Sequence, residues 1–133
     1  MMRTGIALAV ILAGTGAVLA DDDWAGLYQG IDIVDGSHDV MSIVPNGDGT
    51  YDIRVKSTGL AYCDDGARPG VIRAEARVEA GQLVREKVAY RCEGEAGFTD
   101  MEDGTYVRDD ETGILTIEVR GGRLNHYHRM SED

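Results

Sequence analysis

The stretch Val71-Ile72-Arg73-Ala74-Glu75-Ala76-Arg77-Val78-Glu79 decides the fold class. Ile72, Ala74, Ala76 and Val78 alternate strictly with Arg73, Glu75, Arg77 and Glu79. A β-strand would gather the apolar residues on one face and the charges on the other. The Ala, Glu and Arg content also suits a helix, but a period of 3.6 would mix charges into the apolar stripe. The segment is therefore a strand with one face toward a core. Residues 50–57 repeat the pattern, with Tyr51, Ile53 and Val55 on one face and Asp52, Arg54 and Lys56 on the other.

Working outward, turn signals recur at short intervals: Asp35-Gly36, Asn46-Gly47-Asp48-Gly49, Asp64-Asp65-Gly66, Ala80-Gly81, Glu93-Gly94, Asp103-Gly104, Thr112-Gly113 and Gly121-Gly122. The segments between them predict further strands at 27–34, 38–44, 83–92, 105–108, 114–120 and 123–130, with a short one at 60–63. Consecutive short strands joined by hairpin turns form an antiparallel up-and-down meander. A meander of about eight strands removes its exposed edges by closing into a small barrel.

The chain begins with Arg3, an apolar run from Ile6 to Leu12, a small-residue stretch and Val18-Leu19-Ala20, the three parts of a secretory signal peptide. The apolar run is shorter than the roughly 20 residues that cross a bilayer, and Asp21, Asp22 and Asp23 follow at once. The expected division is thus a leader, 1–20, and one domain, 21–133, secreted or periplasmic and not inserted in the membrane after cleavage. Removing the leader takes Arg3 and no acid, which leaves 12 basic against 24 acidic residues, a net charge of −12. Nucleic acid and anionic membrane surfaces would repel such a protein. Cys63 and Cys92 are an even pair in a short exported chain and read as a structural disulfide. A redox role would favour Cys-x-x-Cys, which is not their spacing.

The ends of the meander carry Trp24-Ala25-Gly26-Leu27-Tyr28-Gln29-Gly30, then Asp35-Gly36-Ser37, and finally Tyr127-His128-Arg129. This resembles the calycin-like (lipocalin-like) barrels, and more closely the small exported bacterial proteins of that type whose function is unassigned. The resemblance implies that Trp24 on the first strand packs under Arg129 on the last and seals one barrel end. Lipocalins carry Gly-x-Trp; this chain has Asp22 two residues before Trp24 and Gly26 two after it. It is also shorter than a typical lipocalin, which implies a smaller interior.

Few constellations carry chemistry. Ser37-His38-Asp39 has the residue types of a hydrolase triad, but strand neighbours point to opposite faces and cannot form a relay. His126 and His128 point the same way from one strand and are weak metal candidates, with His38 or a carboxylate as a third ligand. They are read as a solvated pair, and no metal or other cofactor is expected. The 46–52 turn has the middle of a calcium loop without its first acid or terminal Glu, and reads as a plain hairpin. Glu86 shares a strand face with Val84, Val88 and Tyr90, so it points inward unless a bulge reverses the register.

The expected function is therefore that of a monomeric, non-enzymatic module holding a small apolar ligand in the barrel mouth, where Ala74 and Ala76 leave space and Glu86 and Tyr90 face the ligand. An acidic inhibitor or adaptor that uses the turns at 64–65, 100–103 and 109–111 on a basic envelope protein is the alternative. A metal-dependent hydrolase built on His126 and His128 ranks last. N-terminal sequencing of the exported protein is expected to read Asp21-Asp22-Asp23-Trp24, and titration of the unfolded, unreduced chain to find no free thiol.

Overall fold

The structure, a computed structural model, describes residues 24–31, 36–119 and 122–130. The leader, the cut after Ala20 and the acids that follow it lie outside the described residues. Among the described residues nine strands run in chain order: β1 (Gly26–Ile31), β2 (His38–Pro45), β3 (Thr50–Ser57), β4 (Gly70–Glu79), β5 (Gln82–Cys92), β6 (Thr99–Asp100), β7 (Gly104–Arg108), β8 (Leu115–Val119) and β9 (Gly122–Arg129). Among the described residues the one helical segment is a 3₁₀ turn, Asp64–Gly66, and no helix is long and apolar enough to cross a membrane.

Alternation becomes architecture directly. On β4, Ile72, Ala74 and Ala76 are buried and Arg73, Glu75 and Arg77 are exposed; on β3, Tyr51, Ile53 and Val55 are buried. Each strand of the meander pairs antiparallel with the next, and β1 pairs on its far side with β9 through Tyr28↔Arg129, Gln29↔His128 and Gly30↔Tyr127. Eight strands thus close into a barrel, with β6 as a two-residue addition that pairs with Ala89 and Tyr90 of β5. An eight-strand barrel is just wide enough for side chains to fill. Met41, Ile43, Ile53, Leu83 and Leu115 do so here, each at most 1% exposed.

Two short segments depart from the expected set of strands. The 60–63 segment is a turn leading into the 3₁₀ helix, because its backbone groups are satisfied locally. Cys63 N–H donates to the Leu60 carbonyl at 2.8 Å, and Leu60 N–H to that of Arg68 at 3.1 Å. Strand β6 lies outside that set, since two residues are too few to show a period.

The two barrel ends are closed differently. At the end where β1 starts, Trp24 is buried and the Arg108 guanidinium sits 4.5 Å from the indole centroid, a cation–π arrangement. Arg129 lies over Tyr28 instead, 5.2 Å from its ring centre, and Nη2 donates to the Tyr28 hydroxyl at 2.9 Å. That hydroxyl in turn donates to the Trp24 carbonyl at 2.9 Å. Trp24 and Arg129 therefore share one barrel end, linked through Tyr28. At the opposite end the loop between β3 and β4 folds over the opening, burying Leu60 and Cys63. The Cys63–Cys92 disulfide ties it to the last residue of β5 across a Cα–Cα distance of 5.5 Å.

Both closures should be measurable by denaturant unfolding. Replacing both cysteines with serine is expected to lower the unfolding free energy by about 3.5 kcal/mol, the chain-entropy value for a loop of this length. Trp24→Ala is expected to cost about 3 to 5 kcal/mol.

Candidate functional site

The barrel mouth beneath the disulfide loop holds charged groups that the interior of a small barrel ordinarily excludes. On β2 the inward row is Asp39, Met41, Ile43, and Asp39 is only 5% exposed, whereas its neighbour His38 faces solvent. The residues of the Ser37-His38-Asp39 triplet are thus divided between the two faces of the wall.

On β5 a bulge decides which charge turns inward. Between the pairs Arg73↔Ala89 and Glu75↔Glu86, β5 uses one residue more than β4, and within that step Lys87 takes φ 54°. The inward row changes parity there: Val88 and Cys92 are buried on one side of the bulge, Leu83 and Arg85 on the other. Glu86 is consequently turned to the outer face, where Arg77 pairs with it. Arg85 takes the inward place and is 3% exposed. Gly104 stands opposite Arg85 on β7; a Cβ there would lie 3.1 Å from Arg85 Nε, so the glycine leaves the guanidinium its seat.

Tyr127 is seated in the same way. It pairs with Gly30 of β1, which pairs on its other side with Asp39. A Cβ at Gly30 would meet the Tyr127 ring at 3.0 Å and the His126 carbonyl at 2.7 Å. Without one, the ring lies across β1 and its hydroxyl donates to Asp39 Oδ2 at 3.0 Å. Asn125 Nδ2 donates to the same oxygen at 2.8 Å. The Tyr106 ring meets the Tyr127 ring edge-on, centroids 6.3 Å apart, and the Arg85 guanidinium lies 5.9 Å from the Tyr106 centroid.

Burial pushes the Tyr106 phenol above its ordinary value; the Arg85 cation and its hydrogen bond offset part of this, and the Asp39 charge adds to it. Tyr127 is pushed well above that value, first by burial and then by Tyr106 and the Asp39 carboxylate. Both hydroxyls therefore stay protonated, and Tyr127 remains a donor to Asp39. Among the described residues, three buried atoms of this cluster have no hydrogen-bond partner: Asp39 Oδ1, Arg85 Nε and Arg85 Nη2. Leaving a buried polar group unsatisfied costs about 1 to 3 kcal/mol, and more when it is charged.

A cavity of about 260 Å³ opens over the cluster. Asp39, Arg85, Asn125 and Tyr127 supply its polar side, Ile72, Met101 and Ile117 its apolar side, and residues 59–62 its roof. Tyr90 stacks on Tyr62 of that roof, ring centres 5.0 Å apart. Ala74 and Ala76 are buried in the packed core, opposite Ile53 and Tyr51 of β3, and Ile72 of the same strand reaches the cavity. A larger depression, about 760 Å³, lies on the outer wall among Val40, Lys56 and Glu93. It is open to solvent and holds none of the unpartnered atoms, so its volume measures shallow surface.

His38, His126 and His128 are exposed and border one outer depression beside Ile31. His126 Nδ1 lies 2.9 Å from the Thr116 hydroxyl. No group of three His, Cys, Asp or Glu is placed to hold a metal ion among the described residues. In the 46–52 turn, Asp48 accepts from the Thr50 N–H at 3.0 Å and the Thr50 hydroxyl at 2.6 Å, which lowers its pKa and closes the hairpin. Comparison with known proteins adds nothing to these observations: no family model, no curated protein and no solved structure matches the chain.

Sequence reasoning missed Arg85 and Asp39 as a pair. Asp39 carried a signal, since it shares the strand parity of Met41 and Ile43; Arg85 did not. Urea unfolding should show the role of each. Arg85→Met is expected to cost about 1 to 3 kcal/mol: Met refills the volume and removes two unpartnered donors, but Tyr106 loses its hydrogen bond with Arg85 and the Asp39 carboxylate loses its neighbouring cation. Asp39→Ala is expected to cost about 1 to 3 kcal/mol, because it strips Asn125 and Tyr127 of their acceptor.

Proposed function

We propose that this protein is an exported, non-enzymatic, calycin-like binding module that holds a small, largely apolar ligand in the barrel mouth. The observation that carries the reading is the 260 Å³ cavity whose lining residues Asp39 and Arg85 hold three buried, unpartnered polar atoms. Ligand sites are concave and mostly apolar, with a few placed polar groups that fix orientation. Ile72, Met101 and Ile117 provide the first property, and the Asp39–Arg85 cluster the second. Pockets for drug-sized ligands run to roughly 300 to 1,000 Å³, so the ligand here is smaller than those.

Binding fits the cluster better than catalysis. Among the described residues the lining contains no histidine, cysteine or lysine, and Asp39 Oδ2 is already engaged by two donors. Two acids of the acidic turns are already engaged locally. Asp64 pairs with Arg68 at 2.8 Å, and Asp109 accepts the backbone N–H groups of Glu111 and Thr112 within its own turn.

Native mass spectrometry of the mature protein, purified from its own host envelope, tests the reading. A small-molecule adduct is expected on the parent and lost from Arg85→Met. Parent protein that carries no adduct, and whose cavity amides show no shift with any small apolar compound, would refute it.

A further inference from the structure

The unpartnered atoms define the polar end of the ligand more closely than the cavity does. Nε and Nη2 form the side edge of the Arg85 guanidinium, two parallel N–H groups on which a planar acceptor seats. Asp39 is held at Oδ2 by Asn125 and Tyr127, so Oδ1 keeps an unused acceptor position. The two residues line the same cavity, yet their unpartnered atoms do not reach each other. A group from outside therefore has to offer an acceptor to one and a donor to the other.

Charge narrows the choice. A carboxylate head would pair with Arg85 but face the Asp39 carboxylate and leave Oδ1 without a donor. It would also approach against the field of an acidic protein, whose full chain carries −11. An amidinium head would pair with Asp39 but face the Arg85 cation and leave Nε and Nη2 without an acceptor. A neutral head that carries a carbonyl beside an N–H satisfies all three atoms and disturbs neither charge. Resting on the binding reading above, we infer that the ligand's polar end is an uncharged acceptor–donor group of the carboxamide or lactam class. Its carbonyl lies on the Nε–Nη2 edge of Arg85 and its N–H on Asp39 Oδ1.

The test is an amide-shift NMR titration of the mature protein with toluene, benzamide, benzoate and benzamidine, which share a ring and differ in the head. Benzamide is expected to bind about tenfold or more tighter than each of the others, with shifts centred on Ile72, Arg85 and Ile117. Asp39→Asn should invert the preference toward benzoate. Asn125 and Tyr127 hold the new amide's oxygen at the Oδ2 position, so its NH₂ faces the cavity as a second donor beside Arg85. Arg85→Met should reduce benzamide to the affinity of toluene. Toluene binding as tightly as benzamide would overturn the head-group assignment and leave the cavity reading intact. Benzoate or benzamidine as the tightest ligand would overturn it in favour of an ionic head. If none of the compounds shifts a cavity resonance, the binding reading fails and the assignment with it. The ranking on the unmutated protein decides the question even where a variant does not fold.

Discussion

Three residue pairs between β1 and β9 close the sheet on itself, and the rest of the structure depends on that closure. An open sheet could leave one face wet and tolerate a charge there. A closed ring of eight strands has an interior only about as wide as its side chains, so each inward residue is either packed or stranded. Asp39 and Arg85 become consequential for that reason. On a flat sheet they would be two more surface charges of an acidic protein; inside the ring they are desolvated, and each must find partners in a confined column.

The ring's two ends divide the work. The Trp24 end is sealed by stacked and hydrogen-bonded aromatic and guanidinium groups, Arg108 on Trp24 and Arg129 on Tyr28. Delocalised cations suit this position, since they cover an aromatic face while their outer edges stay hydrated. Among the described residues the other end carries no such plug. A loop covers it, held down by the disulfide and by the stacking of Tyr62 on Tyr90. Beneath that cover the packing is incomplete and the polar cluster stands. Among the described residues, rigid packing at one end and a cross-linked roof at the other leave the mouth neither full nor polar-satisfied.

The cluster is built at a cost to stability. Two glycines, Gly30 and Gly104, give up side chains so that Tyr127 and Arg85 can lie across neighbouring strands. Tyr127 and Asn125 then fix one oxygen of Asp39 and leave the other open. A barrel selected for stability alone would replace both charges with apolar residues of similar volume, a change that is often neutral or stabilising.

Strands, hairpins and an antiparallel ring were legible in the sequence because alternation and turn chemistry are local: Ile72, Ala74 and Ala76 face inward wherever the strand is placed. The inward parity of Asp39 was legible for the same reason. The cation that covers Trp24 was not, because Arg108 reaches the indole only through the order of strands in the ring, and Arg129, named by resemblance, lies over Tyr28. The site itself belongs to the tertiary structure. One extra residue at Lys87 exchanges the faces of Glu86 and Arg85, and no glycine or asparagine in the sequence marks it. Asn125 and Tyr127 meet Asp39 across separations of 86 and 88 residues. Periodicity records which way a side chain points within its own strand; ring closure and a bulge decide what it meets, and those depend on contacts between segments far apart in the chain.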